Sequence, residues 1–275
     1  MRIDSHQHFW DPDHLPYPWM PSEGLLHRKY LPPDLQPHLE AARFDGCVTV
    51  QAAQVDEEAE WMLDLADHYS FIKGVVAWVD LTDEKVGARL DQLQKRRQFK
   101  GVRHLVHDEE DVKWLLRPDV IRGLKELERR DIPYDLLLRP PHLPVVKPLV
   151  DAVPRLRMVI DHIAKPLIKD QVREPWAKQM EEISKIPQIY VKLSGMITEA
   201  DHQNWKTPDL SPYINHVFQL WGPDRCMFGS DWPVCRLAGE WKQVLAAFTQ
   251  ALGPLQQPVR EKILGETATK FYRLT

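Results

Sequence analysis

The sequence predicts an α/β chain forming a single (β/α)8 TIM barrel, on three observations. Eight short β-rich runs recur along the 275 residues, amphipathic helical segments separate them, and no glycine-rich phosphate turn follows the first run. Strict β/α alternation implies parallel strands joined by right-handed crossovers, and eight such units close naturally into a barrel. A doubly wound open sheet is the competitor. It would carry GxGxxG or GxxxxGK(S/T) after a strand, whereas the first run here ends His-Gln-His-Phe-Trp.

In chain order the runs are residues 2–9 (RIDSHQHF), 46–52 (GCVTVQA), 72–79 (IKGVVAWV), 100–106 (KGVRHLV), 134–139 (YDLLLR), 157–163 (RMVIDHI), 188–194 (QIYVKLS) and 226–231 (CMFGSD). Between them, apolar residues recur at three-and-four spacing. Residues 34–44 carry Leu35, Leu39 and Ala42; residues 57–69 carry Trp61, Leu65 and Tyr69. Residues 118–130 carry Val120, Ile121, Leu124 and Leu127 behind a proline suited to a first helical turn. Residues 11–33 are rich in Pro, Trp and Tyr and too long for an ordinary βα connection, which predicts a loop over the barrel mouth. Residues 198–211 read similarly. With no repeat, low-complexity tract or linker, residues 1–275 form one domain.

Composition narrows the class. Lys and Arg number 36 against 40 Asp and Glu, a net charge of −4, so the basic excess that nucleic acid demands is missing. No apolar run reaches the roughly 18 residues of a membrane span, and the N-terminus lacks a secretory h-region, so a cytoplasmic protein is expected. Cys47, Cys226 and Cys235 are too scattered for a disulfide framework or a CxxC metal pair and read as buried thiols. Ten tryptophans are an unusual investment in indole rings. The expected partner is a small molecule, and the chain a monomer or homodimer.

Polar residues at the C-terminal strand ends are where a barrel keeps its chemistry. His6 and His8 sit two apart on the first strand, so both face the axis about 6.6 Å apart along it. Packing is the alternative use, but unpaired imidazoles are costly to bury. Asp231 ends the eighth run, across the seam, where it can bind a metal or take a proton from water; helix capping is its ordinary alternative. The sixth run ends Asp161-His162 before Lys165, and alternation lets only one of the adjacent pair point inward from a regular strand. Either fits. The fourth run offers Arg103 and His104, the fifth Arg139, the second Gln51, with Lys192 and Ser194 as weaker signals on the seventh. An arginine can fork onto a carboxylate or carbonyl, or simply pair with a neighbouring acid. Trp10, Trp78 and Trp232 lie at or past strand ends and Trp19 in the proline-rich loop, as platforms for a sugar or lactone ring. No GxSxG, HExxH or Ser/His/Asp arrangement is present.

With HxH on strand one, GVRH on four, IDHIAKP on six, VKLSG on seven and GSDWP on eight, the chain resembles the amidohydrolase superfamily over nearly its whole length. Within it, the chain looks like the branch of metal-dependent TIM-barrel hydrolases that includes L-fuconolactonase and L-rhamnonolactonase. The resemblance implies metal or substrate histidines at His6 and His8, a sixth-strand histidine at His162 and a catalytic aspartate at Asp231. The bridging lysine or glutamate and fifth-strand histidine of binuclear members are replaced by Arg103-His104 and Leu138-Arg139. At most one divalent ion, Zn²⁺ or Mn²⁺, is therefore expected on His6, His8 and Asp231, and catalysis without one is also compatible. The implied reaction is opening of a sugar lactone: Asp231 as base, with His162 or His104 stabilising the oxyanion. Arg103, Gln51, Arg139, Lys165 and the four rim tryptophans are then expected to bind substrate. A pyrone-dicarboxylate or muconolactone hydrolase, or a nonoxidative decarboxylase, is the enzyme alternative; a non-catalytic sugar-binding barrel is the other class.

Overall fold

Each of eight parallel strands pairs with the next in sequence, in a computed structural model that describes residues 1–275. They are β1 (Ile3–Gln7), β2 (Gly46–Val50), β3 (Ile72–Ala77), β4 (Phe99–His104), β5 (Tyr134–Leu136), β6 (Met158–Ile160), β7 (Ile189–Leu193) and β8 (Cys226–Phe228). All eight fall on predicted runs. All eight end one to three residues before their predicted ends, and the fifth, sixth and eighth end three residues early, so the polar residues there sit in turns. The seam closes where His8 N donates to Trp232 O at 2.7 Å and Asp231 N to His6 O at 2.8 Å.

Helices α1 (Pro32–Ala41), α2 (Asp56–His68), α3 (Val86–Leu93), α4 (Pro118–Arg130), α5 (Val146–Ala152), α6 (Trp176–Ser184), α7 (Thr207–Trp221) and α8 (Trp241–Leu252) each follow a strand, and α9 (Gln257–Glu261) and α10 (Thr267–Tyr272) end the chain. The predicted α4 matches to the residue, its buried face formed by Val120, Leu124 and Leu127. The second predicted loop is shorter than expected, because α7 begins at Thr207. None of these helices is long and apolar enough to cross a membrane. All three cysteines are buried and free.

The barrel interior is a small apolar cluster of Ile3, Val48, Val50, Val76, Val159 and Met227, closed at the N-terminal end of the strands by Phe271 and Tyr272. Pairing of β1 with β2 shifts between Asp4 and Gln7. Ile3 faces that interior, Asp4 accepts from Trp241 Nε1 on the helix layer at 2.8 Å, and past the irregularity His6 and His8 turn inward. Such a shift re-aims side chains beside a site.

The loop over residues 11–31 is pinned at its neck, where Trp10 and Tyr30 exchange backbone hydrogen bonds of 3.0 and 2.9 Å.

Candidate active site

His6 and His8 from β1, Arg103 from β4, Asp161 and His162 past β6, Lys192 from β7 and Asp231 past β8 meet at the C-terminal end of the barrel. His6 Nε2 and His8 Nε2 are 3.1 Å apart. Asp231 Oδ1 lies 3.4 Å from His8 Nε2 and 3.8 Å from the Nε2 atoms of both His6 and His162. Three imidazoles therefore surround one carboxylate oxygen, all of them buried. Beneath them Lys192 Nζ contacts Asp135 Oδ2 at 2.6 Å, Asp161 Oδ1 at 3.0 Å and His6 Nδ1 at 3.1 Å. Arg103 Nη1 donates to Asp161 Oδ2 at 3.0 Å, and its Nε and Nη2 grip Gln51 Oε1 at 3.0 and 2.8 Å.

Asp161 and His162 both reach the centre, which a regular strand forbids. The strand ends at Ile160 and the chain turns left-handed, with φ of 53° at His162, 47° at Ile163, 59° at Ala164 and 48° at Lys165. For a β-branched residue such as Ile163 this is a strained conformation, held by surrounding contacts. Trp176 Nε1 donates to Ile163 O at 2.8 Å, and His162 Nδ1 meets Ser194 Oγ at 2.8 Å. Two glycines make room. A Cβ on Gly195, itself at φ +68°, would stand 2.7 Å from His162 Nδ1, and one on Gly229 2.7 Å from His6 Cβ.

Burial holds all three histidines below their ordinary range. For His6, Asp161 opposes that shift and Lys192 adds to it; for His8, Asp231 opposes and Arg103 adds; for His162, Asp231 opposes and His6 adds. All three are neutral at pH 7. Burial pushes the Asp231 carboxyl up, but His162, His8 and Lys165 outweigh it and keep it below the usual carboxylate range. Asp161 is likewise ionised, because Lys192, His6 and Arg103 overcome its burial.

These protonation states decide whether the residues fit a metal ion. His8 Nδ1–H donates to Val50 O at 2.8 Å, which leaves a lone pair on His8 Nε2. His6 Nδ1 lies 3.3 Å from Asp161 Oδ1, and donating there leaves a lone pair on His6 Nε2 as well. Two lone pairs 3.1 Å apart beside a carboxylate oxygen repel one another unless a cation lies between them. A carboxylate and a backbone carbonyl behind the two rings are also the outer partners that metal-binding histidines keep. The donor set fits one divalent ion. The guanidinium of Arg103, 3.3 Å from His6 Nε2, is balanced by Asp161 and so opposes such an ion less than its bare charge suggests.

Above this floor opens a cavity of about 470 Å³. His8, Arg103, His162, Lys165 and Asp231 line its base, Trp10 and Trp19 one wall, and Leu25, Leu26, Val234 and Leu237 the mouth. The proline-rich loop is thus part of the cavity, as expected. Gln51 stays behind Arg103 as its holder. Four expected residues lie elsewhere. His104 spends both ring nitrogens, accepting from Trp78 Nε1 at 3.1 Å and meeting Glu109 Oε1 at 2.6 Å, and stacks on Trp114. Trp78 leaves the site with it. Arg139 falls past the early end of β5 and is exposed. Trp232 packs at the seam between Phe9 and Tyr30.

The pattern of polar residues at strand ends does not single out Asp135 or Tyr272. A carboxylate in the middle of YDLLLR is a signal, since a charge inside an apolar strand needs a buried partner. Tyr272 carries none.

The amidohydrolase family profile matches residues 3–274. An L-fucono-1,5-lactonase of Burkholderia ambifaria is 35% identical over 281 residues, covering 99% of this chain and 96% of that protein. An L-fucono-1,5-lactonase of Burkholderia multivorans is 33% identical, covering 100% and 96%. A crystal structure of an amidohydrolase from Burkholderia multivorans with bound Zn superposes with a TM-score of 0.94 at 32% identity, covering 100% of both chains.

Proposed function

Because the chain belongs to the amidohydrolase family, we propose that it is a hydrolase that opens a sugar lactone by attack of water on the ring ester carbonyl. The observation that carries this reading is the ionised Asp231 at the base of a cavity, ringed by neutral imidazoles and walled by indoles. His6, His8 and Asp231 would hold one divalent ion, Zn²⁺ or Mn²⁺, which when bound supplies Lewis-acid polarisation and a more acidic water.

The chain's own part follows from the geometry. Asp231 accepts a proton from the attacking water as the new C–O bond forms. Charge then develops on the carbonyl oxygen, where the Arg103 guanidinium and the Nε2 edge of His162 face the cavity. As the ring C–O bond breaks, Asp231 returns its proton to the departing ring oxygen, and the product is the open hydroxy acid. Ser194 orients His162, and Gln51 with Asp161 orients Arg103. The only cations lining the cavity are Arg103 and Lys165, and Lys165 is paired with Glu199 at 3.0 Å. That lining favours a neutral polyhydroxylated ring over a dicarboxylate, which calls for several free arginines.

A pH-indicator assay of aldonolactones and pyrone dicarboxylates, run with the wild type and Asp231→Asn, tests the reading. Acid release is expected from neutral lactones, with loss of at least a hundredfold in the variant, within the range for a missing general base of about 10² to 10⁴. Release from the dicarboxylates alone, or a loss under about tenfold, equivalent to roughly 1.4 kcal/mol, would overturn it.

A further inference from the structure

A polar chain runs down the barrel axis from the catalytic floor to the opposite end. Tyr272, in the last turn of α10, donates its hydroxyl to Asp135 Oδ2 at 2.7 Å. The same oxygen receives Lys192 Nζ at 2.6 Å, and Lys192 Nζ reaches Asp161 Oδ1 at 3.0 Å, which in turn lies 3.3 Å from His6 Nδ1. Asp135 and Lys192 are fully buried and Tyr272 is 2% exposed. The other oxygen, Asp135 Oδ1, is buried without any partner.

That asymmetry is informative. A buried carboxylate ordinarily spreads its partners over both oxygens, because an unmet acceptor is costly. Here two donors share Oδ2, so the plane of the carboxylate, and with it the direction of the Lys192 ammonium, depends on the tyrosine hydroxyl. The Lys192 ammonium also sits 5.5 Å from the Tyr272 ring centroid. The turn carrying Tyr272 is itself anchored: Arg157 donates to Phe271 O, Lys100 Nζ donates to Arg273 O at 3.3 Å, and Asp131 pairs with both Arg157 and Arg273.

We infer that Tyr272, through Asp135 and Lys192, is a positioning residue for His6, so that the C-terminal turn at the far end of the barrel forms part of the catalytic apparatus. Tyr272 does not line the cavity. Its effect is to hold the Lys192 ammonium on Asp161 Oδ1, the oxygen that faces His6 Nδ1, and so to fix the ring whose Nε2 faces His8 and Asp231. The kinetic part of this inference rests on the lactone-hydrolase reading; the metal-affinity part does not.

The test compares Tyr272→Phe with Tyr134→Phe, since Tyr134 is an equally buried tyrosine on β5 whose hydroxyl has no partner. Turnover of the lactone and zinc affinity, by competition with a chromophoric chelator, are measured on both proteins and the wild type. The wild type is expected to take up one zinc per chain. Tyr272→Phe should lower kcat and zinc affinity each about tenfold with KM within about twofold, in the lower part of the range for lost outer partners of metal ligands. Tyr134→Phe should leave all three unchanged. Asp135→Asn carries the same expectation and replaces Tyr272→Phe if that variant does not fold. Equal behaviour of Tyr272→Phe and Tyr134→Phe, or a lowered Tm with unchanged kcat and zinc affinity, would overturn the inference. If the wild type opens no lactone, the functional reading fails and the zinc measurement alone decides the positioning role.

Discussion

The floor of the cavity and its mouth are built by opposite means. On the floor, His6, Asp135, Asp161 and Lys192 are completely buried and linked to one another, with Lys192 Nζ alone meeting Asp135, Asp161 and His6. At the mouth, Trp19, Leu25 and Leu237 are 37%, 43% and 42% exposed. Trp19 is tied down by one indole hydrogen bond to Ala52 O at 2.6 Å and by edge contacts with Trp10 and Tyr17. Mutual constraint of this kind suits atoms that must meet in one geometry, whereas a rim of indole and leucine suits recognition of a ring with apolar faces. A change on the floor should therefore act on kcat, and one at the mouth on KM.

The sharpest way to break that division is to perturb the floor without touching a titratable group. Gly195→Ala puts a methyl 2.7 Å from His162 Nδ1 at a backbone φ of +68°. Both the steric push and the strain act on the ring that faces Asp231. We expect kcat to fall tenfold or more and stability to fall by about 1–3 kcal/mol, the usual cost of a side chain at such a position. A variant with wild-type kcat and an unchanged urea midpoint would show that His162 is not held where the chemistry needs it. At the mouth, Trp19→Ala removes a cavity wall and leaves the floor intact. KM for the lactone should rise about tenfold while kcat stays within about twofold, the signature of lost uniform binding. Steady-state kinetics settle this, and an equal fall in kcat would mean that the loop takes part in the chemical step.

The two regions were also unequally legible in the sequence. Strand count, strand order and the shared face of His6 and His8 follow from period-two alternation, and Asp231 from its place across the seam; that the shared face is the inward one depends on the irregularity between Asp4 and Gln7. Alternation also contained the answer for His104. It adjoins Arg103, and once Arg103 points to the axis, His104 must face the helix layer, where Trp78 and Glu109 receive it. The pairing of Asp161 with His162 was beyond any strand rule, because it depends on a left-handed turn that no residue type in IDHIAKP demands. Lys192 stood in the sequence as a weak signal, although a lysine inside IYVKLS has to find a buried partner. That partner, Asp135, is distant in sequence, and Tyr272 more distant still. Only closure of the barrel brings them together.

The last prediction concerns Glu58, at the junction of the two regions. Its carboxylate is fully buried in α2 and accepts from Ala52 N at 3.0 Å and Ala53 N at 2.8 Å, the segment that carries Trp19 on one carbonyl and follows the Gln51 that grips Arg103. Burial pushes its carboxyl up to about 8, with the Ala53 and Ala52 amides and Arg103 opposing that shift. The unfolded chain gives up this proton near the ordinary glutamate value of about 4.3. Between those limits the folded protein binds more protons than the unfolded one, so this contribution to stability is complete below the unfolded value and is lost as pH rises toward 8. Glu58→Gln removes the titration and keeps one oxygen for the amides. Its stability relative to the wild type should therefore improve steadily from pH 5 to pH 8. Urea midpoints of the two proteins at several pH values across that interval measure it; a constant difference would mean that Glu58 stays ionised throughout, held by the two amides alone, and the link it makes between Trp19 and Arg103 would then be insensitive to pH.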